Sequence, residues 1–327
     1  LGWSGLPGLL GREVDVFEIG KPDLTAETRK RLPGSFVELS AGVTHYELRG
    51  DKDGETVVLI HGNAAPYVTW DNTIEDLCEA GFQVLRYDLI GHGFSDRPQL
   101  RTYDRHLYNT QLAELLSRLN ITHPIRVVGT SQGGSNGACF AAAHPGKVEK
   151  LALLAPFFDT FEGGRGILAL LLKTPLVGEL VLQLAPDSKF IDQSDRILSA
   201  DKRAALESEV AGQLRFRGKR RAILANFRGD ALTDATSCYE GVKAQGIPTL
   251  LTWGTQDKGL PADSMRRLRD LLPAIEYHEL EGAAHLAHYE FPDRINPILI
   301  DFLSRRESPK TPTRGAGHSR TPATDRP

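Results

Sequence analysis

The feature that most restricts this chain is a set of short runs, apolar at almost every position, separated by segments of helical spacing. Residues 56–60 read Thr-Val-Val-Leu-Ile, without the polar alternation of a half-exposed strand, so they belong in the middle of a sheet covered on both faces. Residues 82–87, 125–128 and 148–154 repeat the theme. Between them, residues 70–80 and 104–119 read as helices, the second carrying Leu107, Leu112, Leu115, Leu116 and Leu119 at mixed three- and four-residue intervals. Strand and helix in alternation call for right-handed crossovers and a mainly parallel central sheet flanked by helices, an α/β fold. With 327 residues the chain is long enough to bury a large core.

The pattern divides the chain. Residues 1–34 hold glycines and prolines with little periodicity and read as an N-terminal arm. The core is expected in residues 35–156 and 245–304, opening on a hairpin of strands at 36–39 and 43–48 and closing with strands at 247–253 and 275–280 and a helix at 292–303. Residues 157–244 contain apolar helical segments and a mixed-charge stretch but no strong strand. Ordinary connections have a median of about 4–6 residues, so this excursion reads as an inserted helical cap. Residues 305–327 are polar and rich in Pro, Thr and Arg, the composition of a disordered tail, and His318 within it is not recruited into chemistry.

A net charge of -3 and a pI of about 6.4 give no chain-wide basic surplus for nucleic acid. Cys78, Cys139 and Cys238 are too few and too scattered for a disulfide framework, which favours a reducing, cytoplasmic compartment. Cys139 reads as a packing residue in a helix. No apolar run of membrane-spanning length is present, but the first residue is Leu1, so an exported or anchored protein with a segment removed ahead of it stays open.

The chemistry begins at Gly129-Thr-Ser-Gln-Gly133, a G-x-S-x-G pentapeptide directly after the run at 125–128. Small residues on either side allow a sharp strand-to-helix turn that pushes Ser131 out of the backbone. A serine hydroxyl needs a base to take its proton and a carboxylate to orient that base. Asp257, in Gly-Thr-Gln-Asp-Lys-Gly after the strand at 247–253, and His285, after the strand at 275–280, supply them in the order nucleophile, acid, histidine. All three fall at strand carboxyl ends, where open α/β sheets gather ligand-contacting groups. His288 is the competing base, otherwise a pocket-rim or structural residue, and Asp159 the competing carboxylate. The loop at 61–65 (His-Gly-Asn-Ala-Ala) offers close backbone approach, and the amides of Asn63 and Gln132 are the expected oxyanion donors. His61 is expected to brace that loop. Asp88, His92, Ser95, Asp96 and Arg97 are expected to scaffold the site rather than act in it. No dinucleotide or phosphate-binding glycine loop and no H-E-x-x-H pair is present, so neither a cofactor nor a metal is expected.

Taken together, HGNAA at 61–65, DLIGHGFSD at 88–96, GTSQGG at 129–134, WGTQD at 253–257 and GAAHLAHYEFP at 282–292 resemble the α/β-hydrolase family. The resemblance is to its esterase/lipase-like and meta-cleavage-hydrolase-like members with an inserted helical cap, and it spans residues 35–304. It implies Ser131 as nucleophile, Asp257 as orienting acid and His285 as general base. Gln132 replaces the methionine or similar residue usual after the nucleophile, which alters pocket polarity. A cap rich in Phe157, Phe158, Phe161, Leu170, Leu171, Leu172, Leu180 and Leu182 favours a small-molecule carboxylic ester with an apolar portion, cleaved through an acyl-enzyme. Carbon–carbon bond hydrolysis of the meta-cleavage-product type uses the same triad. An aminopeptidase-like activity would require Glu207 or Glu209 turned inward.

Overall fold

The structure is a computed structural model that describes residue 18 and residues 20–63, 65–159 and 167–306. The apolar runs form an eight-stranded sheet in the order β1-β2-β4-β3-β5-β6-β7-β8. The strands are β1 (Ser35–Leu39), β2 (Gly42–Gly50), β3 (Thr56–Ile60), β4 (Gln83–Tyr87), β5 (Ile125–Thr130), β6 (Val148–Leu154), β7 (Thr249–Gly254) and β8 (Glu276–Leu280). The β1-β2 hairpin and the β2-β4 pair are antiparallel, and every later pairing is parallel.

The helices among the described residues are α1 (Ala26–Arg29), α2 (Asp71–Glu79), α3 (Arg105–Arg118), α4 (Gln132–Ala143), α5 (Ile167–Lys173), α6 (Val177–Leu184), α7 (Ser188–Ile191), α8 (Ala200–Leu214), α9 (Lys219–Arg228), α10 (Thr236–Gln245), α11 (Ala262–Leu271), α12 (Ala287–Glu290) and α13 (Pro292–Ser304). Strand pleating sorts the core into two layers. Val58 and Ile60 pack with Leu112, Ala138, Phe140, Tyr239 and Leu268 of α3, α4, α10 and α11. Val57 and Leu59 pack with Trp70, Ile74, Ile295 and Leu299 on the α2 and α13 side. Full burial of each such side chain is worth about 1.5–3 kcal/mol. That is why residues 56–60 read as continuously apolar. A helical insertion, α5 to α9, separates β6 from the segment that returns the chain through α10 to β7.

Three charged residues buried in the strands, Arg86, Arg126 and Lys150, escape that rule. Arg126 of β5 is almost fully buried, and its guanidinium reaches out at the sheet's lower end to Glu55 and Glu149. Lys150 of β6 donates to the carbonyls of Phe302 and Leu303, capping the negative end of α13.

One expectation is corrected. Cys139 of α4 and Cys238 of α10 are joined in a disulfide across a sequence separation of 99. The helices meet closely because Gly241 has no side chain where a Cβ would lie 2.6 Å from that of Ala142. Spacing along the sequence concealed a pair that packing brings together, so cysteine usage no longer argues for a reducing compartment. No helix among the described residues is long and apolar enough to cross a membrane. Of the expected arm, Glu18 and residues 20–34 are described. Of the tail, only Arg305 and Arg306 are, and His318 lies outside the described residues.

Helix α4 comes up against β3 at Gly133, where a Cβ would lie 2.1 Å from the Ile60 carbonyl oxygen. Backbone cannot give way as a flexible side chain can. Gly133→Ala is expected to lower the unfolding free energy by about 1–3 kcal/mol or more, measured by urea denaturation. An unchanged midpoint would show that β3 and α4 are less closely packed than this.

Candidate active site

The turn from β5 into α4 places Ser131. Its backbone has φ 52° and ψ -122°, a conformation that L-residues rarely adopt. The turn is held by its neighbours. The Ser131 amide donates to the carbonyls of Leu154 and Ala155 at 3.0 and 3.1 Å, and its carbonyl accepts from Gly134 and Phe157 at 3.0 and 2.9 Å. Gly129 is required because a Cβ there would lie 2.4 Å from the Gly133 carbonyl oxygen. The Ser131 side chain is thereby presented to a pocket that His285 also lines.

Asp257 follows β7 and His285 follows β8, and the two side chains meet. His285 Nδ1 lies 2.7 Å from Asp257 Oδ2. The other carboxylate oxygen accepts from the amides of Gly259 and Leu260 at 2.8 and 3.1 Å. Three hydrogen bonds fix that carboxylate in place, and the bond to Nδ1 leaves Nε2 as the ring nitrogen available for proton transfer. Among the described residues the Ser131 hydroxyl makes no protein hydrogen bond, a looseness common in ligand-free sites.

The rival residues are accounted for. Asp159 accepts from Ser264 Oγ at 2.8 Å and pairs with Arg267, away from His285. His288 stacks on Trp70 with ring centroids 4.3 Å apart, is fully buried, and has no hydrogen-bond partner on either nitrogen among the described residues. It is a core residue and does not stand at the pocket rim. Glu207 accepts from the Gln193 amide at 3.0 Å, and neither it nor Glu209 lines the pocket.

The loop after β3 is braced as expected. His61 Nδ1 donates to the Gly62 carbonyl at 2.6 Å while Nε2 accepts from the Leu89 amide at 2.9 Å, an arrangement that requires the neutral ring. Burial lowers the His61 pKa in keeping with this. Asp88 accepts from His45, the Tyr67 amide and the Phe94 amide, so the run after β4 is indeed scaffold. The amides of Asn63 and Gln132 donate to no protein group among the described residues, which leaves both free for a ligand oxygen.

A polar cluster that the sequence did not reveal ties these two residues to the cap. Asn226 of α9, fully buried, donates to Asn63 Oδ1 and Gln132 Oε1, both at 2.9 Å. Its own carbonyl accepts from Gln132 Nε2 at 3.2 Å and Tyr108 Oη at 3.0 Å. All four bonding positions of the amide are used. His92 Nε2 adds a contact to Asn63 Oδ1 at 3.2 Å. Arg97 donates to the carbonyls of Gln213 and Phe216, stitching the same scaffold to the cap. Lys219, the buried first residue of α9, points at the Gly91 carbonyl, and burial brings its pKa down from 10.5 to about 7.

The pocket encloses about 360 Å³. Its apolar wall is Phe157, Ala169, Phe227, Leu232, Leu260 and Leu286. Of the apolar cap residues named from the sequence, Phe157 alone lines it among the described residues. Phe158 packs in the core, Leu172 and Leu182 pack against Leu224 within the cap, Leu170, Leu171 and Leu180 are exposed, and Phe161 lies outside the described residues. Composition could not tell which face of each cap helix points inward.

With sheet, elbow and pocket in place, the class of protein follows. The chain belongs to the alpha/beta hydrolase fold family, whose model matches residues 55–292. It is 27% identical over 281 residues to a 2-hydroxy-6-oxononadienedioate/2-hydroxy-6-oxononatrienedioate hydrolase of Paraburkholderia xenovorans (strain LB400), covering 82% of this chain and 94% of that one. Among solved structures, it is similar to the enol-lactonase from Burkholderia xenovorans LB400 (TM-score 0.69, 22% identity, 83% of this chain and 100% of that chain). It is also similar to a meta-cleavage product hydrolase from Pseudomonas fluorescens IP01 (TM-score 0.64, 22% identity, 83% and 97%). Catalytic function as a hydrolase-fold enzyme is supported by this kinship, whereas the carboxylesterase or lipase type is not singled out.

Two outcomes are expected. His288 is held neutral, its pKa lowered from 6.5 to about 3 first by desolvation and then by His285. The unfolded chain therefore binds a proton there below about pH 6.5 that the native state refuses until about pH 3, and stability falls as pH drops through that window. His288→Leu is expected to flatten the slope of unfolding free energy in that range by up to about 1.4 kcal/mol per pH unit, read from urea titrations. An unchanged slope would contradict the neutral assignment. Asn226→Ala is expected to lower kcat roughly ten- to hundredfold with a smaller change in KM, because it frees the side chains of Asn63, which lines the pocket, and of Gln132, which follows Ser131. A change confined to KM would mark Asn226 as a cap-packing residue only.

Proposed function

We propose that this chain is a serine hydrolase that cleaves a carbon–carbon bond beside a ketone in an acyclic unsaturated acid of the meta-cleavage-product type. The observation that carries this reading is the likeness to 2-hydroxy-6-oxononadienedioate/2-hydroxy-6-oxononatrienedioate hydrolases along nearly their whole length, combined with the Asp257–His285 pair beside the Ser131 pocket. It displaces the carboxylic ester as the first expectation. Ester cleavage stands second, because the same residues serve it and the fold is shared with an enol-lactonase.

In the proposed cycle, His285 takes the Ser131 proton as the hydroxyl oxygen attacks the ketone. The amides of Asn63 and Gln132 donate to the resulting oxyanion. When the intermediate collapses, the carbon–carbon bond breaks, its electron pair leaves on carbon, and an acyl-enzyme remains on Ser131. A carbanion is too poor a leaving group unless its charge is delocalised, so the substrate must carry a second carbonyl conjugated to the bond that breaks. His285 gives the proton it took from Ser131 to that enolate, which completes the first product and leaves the ring neutral. Water activated by His285 then releases the acid, with Asp257 ionised throughout.

The test is a panel of a 2-hydroxy-6-oxodienoate, an aryl ester, a lactone and an amide, alongside fluorophosphonate labelling with peptide mapping. Higher kcat/KM on the dienoate, label on Ser131, and a loss of at least about 10⁴-fold in Ser131→Ala are expected. Turnover of esters alone would replace the carbon–carbon reading with the ester one. Undiminished turnover in Ser131→Ala would overturn both.

A further inference from the structure

Helix α9 reaches the site at one end and is poorly started by its own sequence at the other. Toward its C-terminus Asn226 bonds Asn63 and Gln132, and Phe227 forms part of the pocket wall. Its first turn opens on Lys219, Arg220 and Arg221, three basic side chains where the partial positive charge of a helix N-terminus favours anions. The N-cap position is Gly218, at φ 90°, which has no side chain to accept from the amides of that turn. Asp187 pairs with Arg220 and so answers one of these charges.

The carboxylate that the helix lacks comes from the N-terminal arm. Glu18 is buried, and its Oε2 accepts from the Gly218 amide. It also stands near the guanidinium that stitches the scaffold to the cap: burial lowers the Arg97 pKa to about 10, opposed first by the Glu18 charge. Two more bonds tie the arm to the residue before Gly218. The Arg217 amide donates to the Pro22 carbonyl at 3.0 Å, and Arg217 Nη2 donates to the Lys21 carbonyl at 3.2 Å. Farther along, the arm is pinned to the core, where buried Arg29 pairs with Asp96 at 2.5 Å and Asp96 accepts from the Val43 amide of β2 at 2.7 Å. The arm thus bridges the core and the start of α9, and it lies ahead of the stretch 55–292 that the family model matches.

We propose that Glu18 is a positioning residue: the N-terminal arm holds the first turn of α9, and the helix carries that hold about 12 Å along its axis to Asn226 and Phe227 at the pocket. The proposal rests on the hydrolase reading of this pocket and adds a residue that acts on it from outside, since Glu18 does not line it. A helix is stiff along its length, so a first turn that loosens or tilts displaces Asn226. The four bonds of Asn226 tolerate little displacement, because hydrogen bonds weaken steeply with angle. Removing the Glu18 carboxylate therefore releases Asn63 and Gln132 without touching either.

The test uses the full chain and the variants Glu18→Ala, Glu18→Gln, Asn226→Ala and the double variant Glu18→Ala/Asn226→Ala. Three quantities are read: kcat and KM on the panel member that is turned over, the rate of fluorophosphonate labelling of Ser131, and hydrogen exchange in the peptide 219–228. Glu18→Ala is expected to lower kcat and the labelling rate about three- to tenfold while KM changes less than about twofold. Exchange in 219–228 is expected to quicken at least about fivefold, with 292–304 unchanged. Glu18→Gln, whose amide oxygen still accepts from Gly218, is expected to recover most of both effects. Because the effect runs through Asn226, the double variant is expected within about twofold of Asn226→Ala alone. Wild-type exchange in 219–228 of Glu18→Ala overturns the proposal. So do unchanged kcat and labelling, losses that multiply in the double variant, or a loss no larger than the unfolded fraction given by urea denaturation. Faster exchange confined to 219–228, in a protein that takes no label and turns over no panel member, upholds the hold on α9 and overturns the hydrolase reading alone.

Discussion

The site depends on one backbone constraint, the positive φ of Ser131. A side chain at φ 52° is pushed clear of both the strand it ends and the helix it begins, which no relaxed turn achieves. That conformation costs of order 1–3 kcal/mol and persists only where the surroundings over-determine it. Here they do: the Ser131 amide and carbonyl are both bonded to the chain leaving β6, and Gly129 and Gly133 let α4 sit closer to β3 and β5 than any side chain would allow. The same turn leaves the Gln132 amide at the start of α4 without an acceptor. One local strain thus accounts for both an exposed hydroxyl and an unused donor next to it.

A second layer of control comes from the cap. A helix packed over a site by apolar contact alone can shift, because dispersion contacts are individually weak and undirected. Asn226 and Arg97 replace that freedom with directed bonds, the first to the side chains of Asn63 and Gln132, the second to cap carbonyls. Buried polar groups are costly when left unpaired, so a cap that drifted would break several bonds together. Lys219 adds to this sensitivity, since its pKa of about 7 places a buried charge near its titration point. The cap is therefore joined to the pocket's floor as well as roofing it.

The core of this arrangement was legible in the sequence because it rests on local rules. Continuous apolar runs announced β3, β5 and β6, and chain order after β7 and β8 brought Asp257 and His285 to one place. What failed to show was whatever depends on the facing of helices. Cys139 and Cys238 look unrelated until α4 and α10 pack, and Asn226 looks like any helical asparagine until α9 lies over the elbow. The apolar cap residues misled for the same reason: Leu170 and Leu180 are as hydrophobic as Leu232, but only the last faces the pocket. His288 shows the limit at its sharpest, since three residues from His285 it could have shared a face, and instead turns into the core against Trp70.

Ester and carbon–carbon hydrolysis share their first half, attack on a carbonyl and an oxyanion held by amides. They part at the leaving group. An alkoxide needs only the proton His285 already carries, so a neutral pocket suffices. A departing carbon needs its charge drawn along a conjugated chain, away from the bond that breaks. A chain extending from Ser131 past Phe157 and Phe227 would run toward Arg196 and Lys173, so the developing negative charge would move toward positive charge that lines the same pocket. Those cations would then favour the transition state over the ground state, because the attraction grows as the enolate forms. On this reading the cations of the pocket belong to the chemistry, a part that ester cleavage does not require of them.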